Sequence, residues 1–154
     1  MKTDNILRYA NDMHRMVMLL AEHDNQLKDY GYGQLATTIE AHFIVTIREH
    51  PGIKITELAK YWGRTKGMVS CIVGKLESRG LVEKRKTPDN KKNIRLYLTE
   101  KGEKFHQQHM EYDLMEMQKL FSPVELVCSE KEIESFFKVA ENITKSYLMQ
   151  KYGE

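Results

Sequence analysis

Residues 53–80 read IKITELAKYWGRTKGMVSCIVGKLESRG, and residues 81–99 read LVEKRKTPDNKKNIRLYLT. In the first stretch Thr56 is placed to cap a short helix running through Trp62, with Leu58 and Ala59 inward. Gly63-Arg64-Thr65 makes a turn, glycine being suited to the left-handed position after a helix. Apolar residues at Val69, Ile72, Val73 and Leu76 predict a second helix from about Lys66 to Arg79, closed by Gly80. Short helix, glycine turn and second helix form the helix-turn-helix pattern, in which the second helix enters the major groove of DNA. A generic helical hairpin shares that layout, so the outer face decides. It presents Gly67, Ser70, Cys71 and Gly74, flanked by Lys66 and Lys75. Small and hydroxyl side chains permit close approach to a groove floor, and lysines reach phosphates or guanine edges.

The second stretch alternates with period two on either side of Pro88-Asp89-Asn90-Lys91-Lys92-Asn93, which is turn chemistry. It predicts a β-hairpin with Lys91 and Lys92 at its tip and Arg95 at its base. A basic hairpin directly after a helix-turn-helix is a wing, able to touch backbone or minor groove beside the recognition helix.

Outward from this centre the chain becomes helical. Ile6, Ala10, Met13, Val17 and Leu20 mark one face of a helix over about Asn5 to Lys28, broken by Gly31-Tyr32-Gly33. Leu35, Ile39, Phe43 and Ile47 predict another over Gln34 to Glu49, ended by His50-Pro51-Gly52. Met110, Leu114, Met117 and Phe121 form a third stripe, stopped by Ser122-Pro123. Ser129 and Glu132 are spaced as a capping box, opening a helix with Ile133, Phe136, Phe137, Ala140, Ile143 and Tyr147 inward. The expected class is mainly α with a small β-hairpin wing. One domain fills 1–154, with a winged helix-turn-helix at 34–99 between dimerisation helices at 1–30 and 100–154. Long terminal helices around a small centre find little surface in their own chain, so a two-fold homodimer is expected.

The 154 residues carry 24 Lys and Arg against 22 Asp and Glu, yet the charge is uneven. Residues 54–104 hold fourteen of the basic residues and six of the acids, a surplus of eight between acidic flanks. That asymmetry points to a polyanionic partner. No run of about 18 apolar residues suggests a membrane span. The start MKTDNILRYA lacks the apolar core of a secretion signal, and Cys71 and Cys128 make no disulfide framework, so a cytoplasmic location is expected. There is no G-x-S-x-G, no Gly-rich phosphate loop and no H-E-x-x-H, so catalysis is not expected.

The segment ELAKYWGRTKGMVSCIVGKLESRGLVEKRKTPDNKKNIRLYLTEKG resembles the winged helix of the multiple-antibiotic-resistance regulator (MarR) family. Lys75-Leu76-Glu77, Gly80-Leu81-Val82, Lys84-Arg85, Pro88-Asp89 and Leu98-Thr99-Glu100-Lys101-Gly102 carry the resemblance over about residues 54–104. It implies a homodimeric transcriptional regulator, usually a repressor, bound to a pseudo-palindromic operator in double-stranded DNA. It also implies an effector site where the dimer helices meet the winged helix. DNA contacts are then expected from Arg64, Thr65, Lys66, Gly67, Ser70, Cys71, Lys75, Lys91, Lys92 and Arg95. The family's wing commonly carries an Asp-Arg-Arg-like run where this chain has Asn90-Lys91-Lys92. Lysine lacks the planar fork of arginine, so phosphate contact replaces groove insertion as the expected role. The alternative is a winged-helix interaction module that reads no operator.

No cofactor is expected to be required. His106, His109 and Asp113 share a sector of about 60° on one helix, a spacing that suits zinc. Some family members are similar zinc sensors, and by alignment with them His42 and His109 fall at ligand positions, with Asp113 in place of a histidine. Glu22, His23 or Asp24 would supply a further ligand. The favoured reading of these residues is an ordinary polar surface or interface, with a small amphipathic or aromatic molecule as effector. Cys71 has both a redox reading and an inert one.

Overall fold

The computed structural model of the chain describes residues 3–31, 33–87 and 90–153. Helix α1, Thr3–Asp24, ends short of Lys28, which instead belongs to strand β1, Lys28–Asp29. That strand pairs antiparallel with β2, Leu35–Ala36. The helix predicted from Gln34 starts later, as α2, Thr38–Glu49. Its start is set by a closed capping box. Thr37 Oγ1 accepts from the Glu40 N–H (3.4 Å), and the Glu40 carboxylate accepts from the Thr37 N–H (3.0 Å). Leu35 therefore lies outside the helix and exposed, while Phe43 and Ile47 are buried as their spacing predicts.

The helix-turn-helix follows as α3, Ile55–Tyr61, and α4, Lys66–Ser78. Thr56 is not the cap of α3. The chain turns one residue earlier than Ile55, where Glu57 accepts from the Lys54 N–H at 2.9 Å. Thr65 caps α4 by accepting from the Met68 N–H at 3.3 Å. Val69, Ile72, Val73 and Leu76 share one core with Phe43, Ile44, Ile47 and Leu58. Each such buried side chain contributes about 1.5–3 kcal/mol, which ties α4 to α2.

The wing is β3, Val82–Thr87, paired antiparallel with β4, Asn90–Leu98. Its register runs from Val82↔Leu98 to Lys86↔Ile94, then slips to Thr87↔Asn90. The strand thus reaches further towards the tip than alternation predicts. Asn and Lys on an exposed ribbon are polar on both faces, so no period marks the boundary. Pro88 and Asp89 lie outside the described residues, as do the side chains of Lys91 and Lys92. Ile53 adds a bridge to Leu96, with Gly52 N–H donating to the Leu96 carbonyl (2.8 Å) and Leu96 N–H to that of Ile53 (3.1 Å).

Helix α5, Glu100–Glu125, begins at Thr99, whose hydroxyl accepts from the Gly102 N–H at 3.0 Å and donates to the Gly80 carbonyl at 2.6 Å. It runs through Pro123, which was expected to stop it. A proline in the last turn removes one helical amide bond, and the end is closed by the Cys128 N–H on the Val124 carbonyl at 2.8 Å. Helix α6, Glu130–Tyr152, opens at Ser129, where the predicted box forms: Ser129 N–H donates to Glu132 Oε2 at 2.8 Å.

The stripes read as inward on α6 do not face inward in one chain. Phe136, Phe137, Ile143 and Tyr147 are exposed, and so are Ile6, Met13, Val17 and Leu20 of α1 and Met110, Leu114 and Met117 of α5. The accessible surface is 11302 Å² for an 18.1 kDa chain. A compact monomer of that mass exposes about 8,100 Å². Most of the exposed large hydrophobic side chains lie on the terminal helices α1, α5 and α6. No helix among the described residues is long and apolar enough to cross a membrane.

Candidate nucleic-acid interface and histidine cluster

The outer face of α4 is as the sequence predicts. Lys66, Gly67, Ser70, Cys71 and Lys75 are exposed, and Gly74 is half-buried. A Cβ added at Gly67 or Gly74 would meet nothing within 4 Å, so these glycines leave open space and not a packing contact. Arg64 and Thr65 sit on the turn leading into this face, exposed, with Thr65 occupied by the cap. Among the described residues Arg64, Lys66 and Lys75 form no ion pair, so their charges face solvent. Met68 shares the face, 41% exposed, and was not among the expected contacts. An apolar side chain between two lysines gives no charge signal to find it by.

Three cations of the wing are held within the chain. Arg95 Nη1 donates to the Gly52 carbonyl at 2.9 Å, which braces the wing's base against the end of α2. Lys84 pairs with Glu77 at 2.7 Å, and Arg85 pairs with Glu83 while stacking 4.4 Å over the Tyr97 ring.

A second grouping lies between α2 and α5. His42 of α2 meets His109 and Asp113 of α5, and one ligand atom from each falls within 4.8 Å of the others. Asp113 Oδ2 is 3.4 Å from His109 Nε2 and 3.8 Å from His42 Nε2. His109 is fully buried, and neither of its ring nitrogens has a hydrogen-bond partner. Burial, then the neighbouring His42, His106 and Lys28, push its pKa down to about 4. Burial likewise holds the Asp113 carboxyl above its ordinary value. A neutral imidazole, with one ring nitrogen free of a proton, is the ligand form of histidine. Two imidazoles and a carboxylate therefore fit a divalent ion, one donor short of a tetrahedral set.

His106, placed in the same sector by helix geometry, does not join the group. Burial and Arg48 lower its pKa. Tyr30 packs on the cluster, its ring 4.9 Å from that of His109, and burial pushes its pKa up to about 12. Trp62 stacks on His42 at 5.8 Å and donates its indole N–H to Thr46 Oγ1 at 3.1 Å, so the cluster touches the end of α3. Sequence reasoning missed Tyr30 as a neighbour of His109 and Trp62 as a neighbour of His42. Trp62 was legible only as the last residue of a helix, and Tyr30 sits between strands too short to show a period.

Residues 37–94 match the MarR family. The chain is 30% identical over 94 residues to the HTH-type transcriptional regulator YhjH of Bacillus subtilis, covering 61% of this chain and 54% of that one. It is 30% identical over 93 residues to the transcriptional repressor MprA of Escherichia coli, covering 60% and 52%. The match thus spans about half the length of these curated relatives. Streptococcus pneumoniae FabT, solved in complex with DNA, superposes with a TM-score of 0.65 at 21% identity, over 95% of this chain and 97% of that one. The winged helix over residues 37–94 is thus similar to that of the MarR family, and the fold of the whole chain is similar to that of solved MarR-type regulators.

Proposed function

We propose that the chain is a homodimeric, sequence-specific DNA-binding transcriptional regulator, acting as a repressor in the cytoplasm and answering to a small effector. The observation that carries this reading is the outer face of α4, where unpaired Lys66 and Lys75 flank Gly67, Ser70, Cys71 and Gly74. Two such helices, related by a two-fold axis, would enter successive major grooves about 34 Å apart. Arg64 and Thr65 lead into the groove, Lys91 and Lys92 take phosphates at the flanks, and Arg95 supports the wing. Its relatives favour the same reading, since MprA is a repressor and FabT is a DNA binder.

DNA binding of this kind needs no cofactor. The effector site in this proposal is the cluster of His42, His109 and Asp113, with zinc as its ion. Held there, zinc would tie α2 to α5 and so fix the angle between the winged helix and the dimer helices. The apo and bound shapes would then differ in operator affinity.

The test is fluorescence anisotropy on the DNA upstream of the protein's own gene against a scrambled duplex, over a salt series and with zinc added. A preference of about 10³ or more with a steep salt slope is the expected result. Equal weak binding to both duplexes, with and without zinc, would leave the interaction-module reading in its place.

A further inference from the structure

A cavity of about 600 Å³ opens beside the histidine cluster, and Lys28, Thr38, His42, Asp24 and Asp113 all line it. Lysines ordinarily bury their stem and carry the ammonium out to water. Lys28 does otherwise: its side chain is 11% exposed, and Nζ donates to Thr38 Oγ1 at 3.0 Å. The same nitrogen lies 3.0 Å from His23 Nδ1 and 3.7 Å from Asp24 Oδ1. Thr38 stands one helical turn before His42, so the ammonium sits at the entrance to the cluster.

We propose that Lys28 is a built-in competitor for the cation position, which a divalent ion must expel in order to bind. This inference rests on reading His42, His109 and Asp113 as a metal site. In the metal-free protein the ammonium balances Asp24 and Asp113 and holds His23 and Asp24 in place. When it swings out to solvent, the His23 imidazole and the Asp24 carboxylate are released on the rim of a three-donor site that lacks a fourth ligand. One cation replaces another, and no proton or electron is needed to balance the step. The cost of displacing Lys28 sets the concentration at which the metal is taken up. Lys28 also lies on β1, whose partner β2 runs into the Thr37 cap of α2, so its departure is felt where α2 begins.

The experiment is a cobalt(II) and zinc(II) titration of the full chain against a competing chelator, with the cobalt d–d spectrum as a second readout. Lys28→Met and Lys28→Gln should each bind about tenfold or more tightly than the wild type, while Lys28→Arg, which keeps the charge, should not. If the wild type binds and the two neutral variants bind equally or more weakly, the role of Lys28 is overturned. If none of these proteins takes up metal, or His109→Gln binds as tightly as the wild type, the metal reading fails and this inference falls with it.

Discussion

At the scale of single residues, His109 carries the clearest chemical consequence. Its pKa is held near 4 in the folded chain, against 6.5 for a free imidazole. Below pH 6.5 the unfolded chain takes up a proton that the native protein refuses, so stability falls as pH drops from about 7 towards 4. The loss has an upper bound of about 3 kcal/mol. Urea unfolding in metal-free buffer at pH 7, 6 and 5 measures it. His109→Gln should flatten the profile, and an unchanged slope would assign the pH response to other groups. On the DNA side, Lys75→Ala should weaken binding to every duplex alike and lower the salt slope by about one. A loss confined to one operator sequence would instead make Lys75 a base reader.

Among the elements, the join between wing and α5 is the tightest. A Cβ on Gly102 would lie 2.0 Å from the Leu81 carbonyl oxygen, a backbone atom that cannot rotate away. Gly102→Ala should cost about 1–3 kcal/mol or more, read as a lowered urea midpoint. Gly74 on α4 is the opposite case, with open space around it. Gly74→Ala should raise stability by about 0.5–1 kcal/mol while reducing operator affinity, because the added methyl stands towards the groove. A stabilised variant that binds DNA as before would remove Gly74 from the interface.

What was legible in the sequence follows from period and cap. Val69, Ile72, Val73 and Leu76 announce both the recognition helix and its buried side, because a helix packed on a core writes its 3.6-residue period directly. His109 and Asp113 are one turn apart and were readable as a pair. His42 joined them only through resemblance, since a contact across the core leaves no local spacing. Lys28 and Tyr30 were invisible for a related reason: β1 and β2 are two residues each, too short for alternation. Pro123 misled because a proline in a final turn is tolerated where one in mid-helix is not.

For the whole molecule the exposed apolar faces of α1, α5 and α6 are the dominant fact. The chain exposes about 3,200 Å² more than a compact monomer of its mass, the scale of an obligate interface. Sedimentation should return about 36 kDa, twice the chain mass of 18.1 kDa. Ile143→Glu together with Leu114→Glu should give monomers that lose operator binding by far more than the removal of any one lysine. A monomeric wild type would overturn the two-fold arrangement.

Helix α5 is continuous from the wing to the far tip, 26 residues long. Its two cluster residues, His109 and Asp113, lie about 14 and 20 Å from its first residue at 1.5 Å per residue. In the proposed regulator the helix would act as a lever with the cluster as its fulcrum. A tilt of about 10° there would swing the wing end by about 2–3.5 Å, up to the rise of one base step in duplex DNA. In the proposed regulator, a side-chain rearrangement no larger than the exchange of an ammonium for an ion would be geared, by helix length alone, to the rise of one base step in the DNA proposed at the other end.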